Sequence, residues 1–265
     1  MRIPLVYCEE VAEAITAGQP VVALPSSVIT HGPDGAETAR RVEDAVRASG
    51  SVPATIGVDG GRILVGLPDV ALDRFASTPR VSIVGGRDLP VALARGTLGA
   101  TTVSSSMIAA GLAGLRFVSS DAIGGVHRGR VSPDLVQLTR SGVAVVCAGT
   151  RNGAGRTLGF LETQGVPLVA YRSDDFPAHV RVSSGLRCPH RLDDPRVLAR
   201  AIEAHRALGG TGAFLVTTPT RASDAVDPAE ADADRPFGKA VSAVLVTVAE
   251  VAGELAAAHA KEFPS

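Results

Sequence analysis

Lysine is nearly missing from this 265-residue chain: it occurs only at Lys239 and Lys261, so almost all of the 26 basic side chains are guanidinium groups. A guanidinium stays protonated, so amine chemistry is confined to two positions close to the C-terminal end. Cysteine is also sparse. Cys8, Cys147 and Cys188 are odd in number and lack metal-ligand spacing, which excludes a disulfide framework and points to a reduced, cytoplasmic protein. Charge of one sign is missing too, with a formal net charge of −1. No global field draws the chain to nucleic acid or to an anionic membrane, and neither is expected as a partner. No apolar run reads as long enough for a membrane span, and the start "MRIPLVYCEEVAEAI" has neither a basic n-region nor a cleavage site.

What is present is apolar residue, 45% of the chain, enough for the core of one large domain over residues 1–265. Helical periodicity covers 9–18 and 36–49, and "VPATIGVDGGRILVGL" reads as two strands around an Asp-Gly-Gly turn. "RVSIVGG", "RFVSSDAIGGVHRG", "VAVVCAG", "VPLVAYR" and "GAFLVTTP" supply further strands. "SSSMIAAGLAGL", "SPDLVQLTRSG" (with Ser132 as N-cap), "PRVLARAIEAHRALG" and a long closing "KAVSAVLVTVAEVAGELAAAHAK" supply helices between and after them. This alternation predicts an α/β protein: three α/β/α layers around a mainly parallel sheet. Residues 220–238, polar, acidic and proline-containing, read as a surface or disordered loop.

The stretch "PVVALPSSVITHGPDG" puts hydroxyls and His31 just beyond a buried strand, where open α/β sheets keep their chemistry. Together with "VPATIGVDGG", "RDLP", "GATTVSSSMIAAGLAG", "IGGVHRG", "VVCAG" and "FLETQGVPL", it resembles the pseudouridine-5′-phosphate glycosidase family, the indigoidine-synthase-A-like proteins, in register from about residue 20 to 215. The resemblance implies an α/β/α homotrimer that makes or breaks the C–C bond between uracil and ribose 5-phosphate. In some relatives it implies joining ribose 5-phosphate to aromatic carbons in antibiotic pathways.

The resemblance also implies a set of catalytic groups, and this chain departs from each. The imine-forming lysine falls at Arg151 in "CAGTR", and a second lysine falls at Ile83. The acid glutamate falls at Pro25, and an asparagine of the closing helix falls at Val241. The "TFDIS" segment, to which the resemblance assigns a metal-holding aspartate, is shortened to "HRGRVSPDL". No cofactor and no manganese are therefore expected, and Asp134 is expected to serve the dipole of its own helix. Where the family has glycine, Asp121 appears in "SDAIGG".

The binding elements are better kept. Ser104, Ser105 and Ser106 start a helix, where hydroxyls and free N–H groups suit an anion. His31, Arg87 (beside Asp88) and Arg128 complete a candidate substrate-binding set, and Asp121, His127 and Arg151 a candidate catalytic one; Cys147 reads as core. Two readings stay open: an enzyme repurposed toward a phosphosugar or C-nucleotide without imine or metal, and a noncatalytic relative that binds a ligand or a partner. Residual C-glycosidase or C-glycosynthase activity is a third.

Overall fold

The computed structural model describes residues 4–30, 34–226 and 238–264. Its strands are β1 (Leu5–Tyr7), β2 (Val21–Pro25), β3 (Val52–Asp59), β4 (Arg62–Val65), β5 (Ser82–Val84), β6 (Gly99–Thr101) and β7 (Phe117–Ser120). They continue as β8 (Val126–His127), β9 (Arg130–Val131), β10 (Ala144–Cys147), β11 (Leu168–Tyr171), β12 (Arg191–Leu192) and β13 (Phe214–Thr217). The helices are α1 (Glu9–Thr16), α2 (Gly35–Ala48), α3 (Asp69–Ser77), α4 (Leu89–Arg95), α5 (Val103–Leu112), α6 (Pro133–Leu138), α7 (Ala154–Thr163), α8 (Pro195–Ala207) and α9 (Lys239–Glu262).

The apolar runs become strands buried on both faces, as parallel sheets require. The order across the sheet is β1-β4-β3-β2-β7-β10-β13-β11-β12, with β6 on β3 and β5 on β6. Pairing is parallel from β3 through β12, while β4 and β6 run antiparallel to β3. Side chains alternate between two cores with the period of a strand. Val21 and Ala23 face one core with Val11 of α1, Met107 of α5, Leu135 of α6 and Leu161 of α7. Val22 and Leu24 face the other with Val46 of α2, Leu198 of α8 and Val248 of α9. These are the three layers expected, helices on either side of a mainly parallel sheet.

Local signals land where their chemistry requires. Gly60 and Gly61 both have positive φ in the two-residue turn joining β3 to β4, the geometry of a tight hairpin. The Ser132 hydroxyl accepts from Asp134 N and caps α6. Pro25 ends β2 beyond the two residues paired with β7, so its missing N–H interrupts no bond on that side. Cys147 is fully buried, and burial pushes its thiol up to about 12, consistent with a core residue.

The short helices α3, α4 and α7 were not anticipated. One reading is corrected: by length and composition α9 is long and apolar enough to cross a membrane. Within the fold, 56% of its apolar stretch is buried, against α2, α8 and the sheet. Of the loop 220–238, residues 227–237 lie outside the described residues. Its first part is held in place: Thr220 is buried and Val226 N donates to Val180 O.

Candidate functional site

Strands β2, β7, β10, β11 and β13 run in one direction, so their carboxyl ends form one rim. Beyond the strands, backbone bonds continue the pairing. Ala148 N donates to Asp121 O, Ile123 N to Gly149 O, and His179 N to Ala148 O. The chain after β7, after β10 and after β11 is thereby drawn together. Gly149 makes the last approach possible: its φ is +75°, and a Cβ there would lie 2.0 Å from Pro177 O. Gly149→Ala should therefore cost about 2–4 kcal/mol, from left-handed strain plus backbone overlap. Differential scanning calorimetry should show this as a Tm lower by roughly 5–15 °C.

This closure assembles a charged cluster. Asp121 Oδ2 accepts from the Arg151 guanidinium at 2.5 Å and lies 2.8 Å from His179 Nε2. Asp121 Oδ1 accepts from the Ser120 hydroxyl at 3.2 Å. Burial by itself would raise the Asp121 pKa; the His179 bond and the Arg151 charge outweigh it and hold the carboxyl well below the usual range. Asp121 is thus a fixed anion and acceptor, not a proton donor. Asp121 and Arg151, both candidates from the sequence, do meet; His179 was missed. It lies in "FPAHV", an irregular stretch, and only its left-handed backbone, φ +59°, marks it as special.

The serines form an internal network. Ser104, Ser105 and Ser106 are buried. Ser105 Oγ donates to Val84 O and Ser106 Oγ to Thr101 Oγ1, while Ser104 Oγ accepts from Gly86 N. Asp134 stands in the first turn of α6, but its carboxylate does more than complement that helix. One oxygen accepts from Ser104 N and the other from Gly124 N, each at 2.9 Å. It thereby ties the start of α5 to the glycine loop. Burial pushes its pKa up against these two bonds.

Of the remaining candidates, His127 and Arg128 are exposed on the β8–β9 hairpin, whose tip holds Arg128 and Gly129 at positive φ. Arg87 is exposed and pairs with Asp88 at 3.3 Å, a geometry worth little in water. His31 lies outside the described residues. Pro25 is half-buried at the end of β2, Ile83 is exposed on β5 and Val241 is buried on α9.

A divalent metal is part of what the family pattern implies, and the donors on this rim do not fit a protein-built cage for one. Both oxygens of Asp134 hold backbone N–H groups, and Asp121 is committed to Arg151 and His179. Among the described residues no three His, Cys, Asp or Glu side chains converge.

Comparison with known proteins agrees with this architecture. The family model described as indigoidine synthase A like protein matches residues 10–245. The chain is 47% identical to Pseudouridine-5′-phosphate glycosidase 1 of Photorhabdus laumondii, over 97% of this chain and 94% of the relative. It is 46% identical to the pseudouridine-5′-phosphate glycosidase of Dickeya dadantii, over 96% and 93%. Among solved structures, the prealnumycin C-glycosynthase AlnA in complex with ribulose 5-phosphate superposes with a TM-score of 0.89 at 37% identity, covering 98% of each chain.

Proposed function

Because the chain belongs to the indigoidine synthase A like protein family, we propose that its strand-end rim binds a ribose-5-phosphate or C-nucleotide type ligand and treats it without a lysine imine. The observation that carries this reading is the Asp121–Arg151–His179 cluster, built where the family pattern places glycine and lysine. The named relatives are pseudouridine-5′-phosphate glycosidases, and the solved neighbour holds ribulose 5-phosphate; both support a phosphosugar as the ligand class.

In this reading the residues divide by what each can do. The Arg151 guanidinium, 37% exposed, meets a phosphate or carbonyl oxygen and polarises it without giving up a proton. Arg128 and Arg87 hold the anionic end; His31 lies outside the described residues and is given no part in this reading. Ser104, Ser105 and Ser106 shape the floor, since their hydroxyls are already engaged. Proton transfer falls to His127, because Asp121 is kept ionised. A lysine cannot share the work: Lys239 and Lys261 are exposed near the two ends of α9.

Ribose 5-phosphate at about 100 times its Kd should stabilise the protein by about 2.7 kcal/mol, raising Tm by roughly 5–10 °C. Thermal melts with and without ligand test this; no shift at millimolar ligand, for either ribose 5-phosphate or pseudouridine 5′-phosphate, would sink the reading. A shift without turnover of any C-nucleotide would leave a noncatalytic, ligand-binding relative. We also propose a homotrimeric, cytoplasmic protein. Light scattering should return three times the chain mass, and a monomer at micromolar concentration would remove the trimer.

A further inference from the structure

His179 has no place in the reading so far, yet it is the most constrained member of the cluster. Its backbone is left-handed, a region disfavoured for any residue carrying a side chain. Three bonds nevertheless fix it: its N–H donates to Ala148 O, its carbonyl accepts from the Thr220 hydroxyl, and its Nε2 lies 2.8 Å from Asp121 Oδ2. An ionised carboxylate has no proton to give, so the ring hydrogen is on Nε2 and is donated to Asp121.

That same Oδ2 receives the Arg151 guanidinium. Two donors converge on one oxygen, and the second oxygen takes the Ser120 hydroxyl. The carboxylate therefore has little freedom to turn. Burial ranks the three side chains: His179 and Asp121 are 9% and 12% exposed, Arg151 37%. Only the guanidinium presents itself to solvent, and an arginine on a long stem is directional only when something buried aims it.

We propose that His179 is a positioning residue: through Asp121 it fixes the Arg151 guanidinium in the orientation that meets an anionic or carbonyl oxygen of the ligand. The proposal rests on Arg151 being the ligand-facing member, as inferred above. It treats His179 as acting only through Asp121, with no contact to the ligand.

The test compares full-length wild type with His179→Asn and His179→Gln. Asparagine tolerates the left-handed backbone, but its amide is too short to reach Asp121; glutamine keeps an amide donor at longer reach. The first readout needs no ligand. Phenylglyoxal labelling, followed by peptide mass spectrometry, should modify Arg151 about 3–10-fold faster in His179→Asn and near the wild-type rate in His179→Gln. Exposed Arg62, outside the cluster, should be unchanged in both. The second readout is calorimetry with ribose 5-phosphate. His179→Asn should weaken binding about 5–10-fold in the native background and less than twofold when Arg151→Ala is already present.

A purely structural histidine would lower Tm without moving either readout. Unchanged Arg151 labelling in folded His179→Asn, or an equal loss of affinity in both backgrounds, would overturn the proposal. If wild-type protein fails to bind ribose 5-phosphate, the ligand reading falls, and the labelling arm still decides the role of His179.

Discussion

Borohydride added to the protein with ribose 5-phosphate is expected to leave the intact mass of the chain unchanged, apart from slow background at the N-terminus and the exposed Lys239 and Lys261. Breaking a C–C glycosidic bond through an opened sugar requires an electron sink, and an imine to a lysine amine is the one the family resemblance implies. In the reading proposed above, the two positions that the resemblance assigns to the amine hold Arg151 and Ile83. Arg151 is bound to a carboxylate, and Ile83 carries no polar atom. Cleavage of pseudouridine 5′-phosphate should accordingly run more than about a thousandfold below an ordinary enzymatic turnover of about 10 per second. Arg151→Lys alone should not restore it. Groups that act as a unit are not recovered singly, and the resemblance puts the acid's position at Pro25. A sugar adduct mapping to residue 151 in that variant, without turnover, would fit this view. Wild-type cleavage at an ordinary rate would refute it.

Asp121→Ala is expected to be among the most destabilising single substitutions in the protein. The side chain is buried and serves a guanidinium and an imidazole at once. Removing it leaves the buried His179 ring without its acceptor and takes one carboxylate from the partly exposed Arg151, a loss of about 2–4 kcal/mol for hydrogen bonds to a charged group with a buried partner left unsatisfied. For a chain of this size that corresponds to a fall in Tm of roughly 4–16 °C. The effect has a pH signature. Because folding depresses the Asp121 pKa, the unfolded chain binds more protons than the folded one in acid. The contribution is therefore complete above the ordinary carboxylate value, near about 4, and drains away as pH falls below it. Melting curves from pH 7 to pH 3 should show a constant gap between wild type and variant down to about pH 4, narrowing below it. A gap that stays constant, or widens in acid, would mean that Asp121 is not ionised in the fold.

The strands were legible in the sequence because a strand covered on both faces must be an unbroken apolar run; "VVAL", "AVVC" and "FLVT" announce themselves without periodicity. The β3–β4 hairpin was legible from its glycine pair, and α6 from Ser132. Helix α7 was not, since "AGRTLGFLET" carries glycines and too short an apolar face to show a helical stripe. The meeting of Asp121 with Arg151 was readable only through the resemblance, which singled out both positions and paired a carboxylate with a guanidinium. His179 gave no such cue. It reaches Asp121 through a long irregular excursion after β11, whose path is set by bonds such as His179 N to Ala148 O, and no local rule predicts those. The role of Asp134 was misjudged in part for a related reason: a first-turn aspartate normally faces its own helix, and only tertiary packing aims it at α5.

Helix α9 closes the second side of the sheet, with Val241, Val244, Leu245, Val248, Ala252 and Leu255 all buried. Its partners α2, β2, β7 and β10 lie earlier in the chain, and Ser51 donates to Gly253 O across 202 residues. During synthesis every strand of the sheet, with α2 and α8, therefore precedes the helix that completes this flank, and the strip between α2 and α8 over β2, β7 and β10 is left uncovered. That strip stays open until α9 clears the exit tunnel, roughly several seconds at bacterial elongation rates of about 5–20 residues per second. The newborn chain is thus a client for holding chaperones up to its final turns. A stop codon placed just before Lys239 would yield not a shorter working protein but an aggregate.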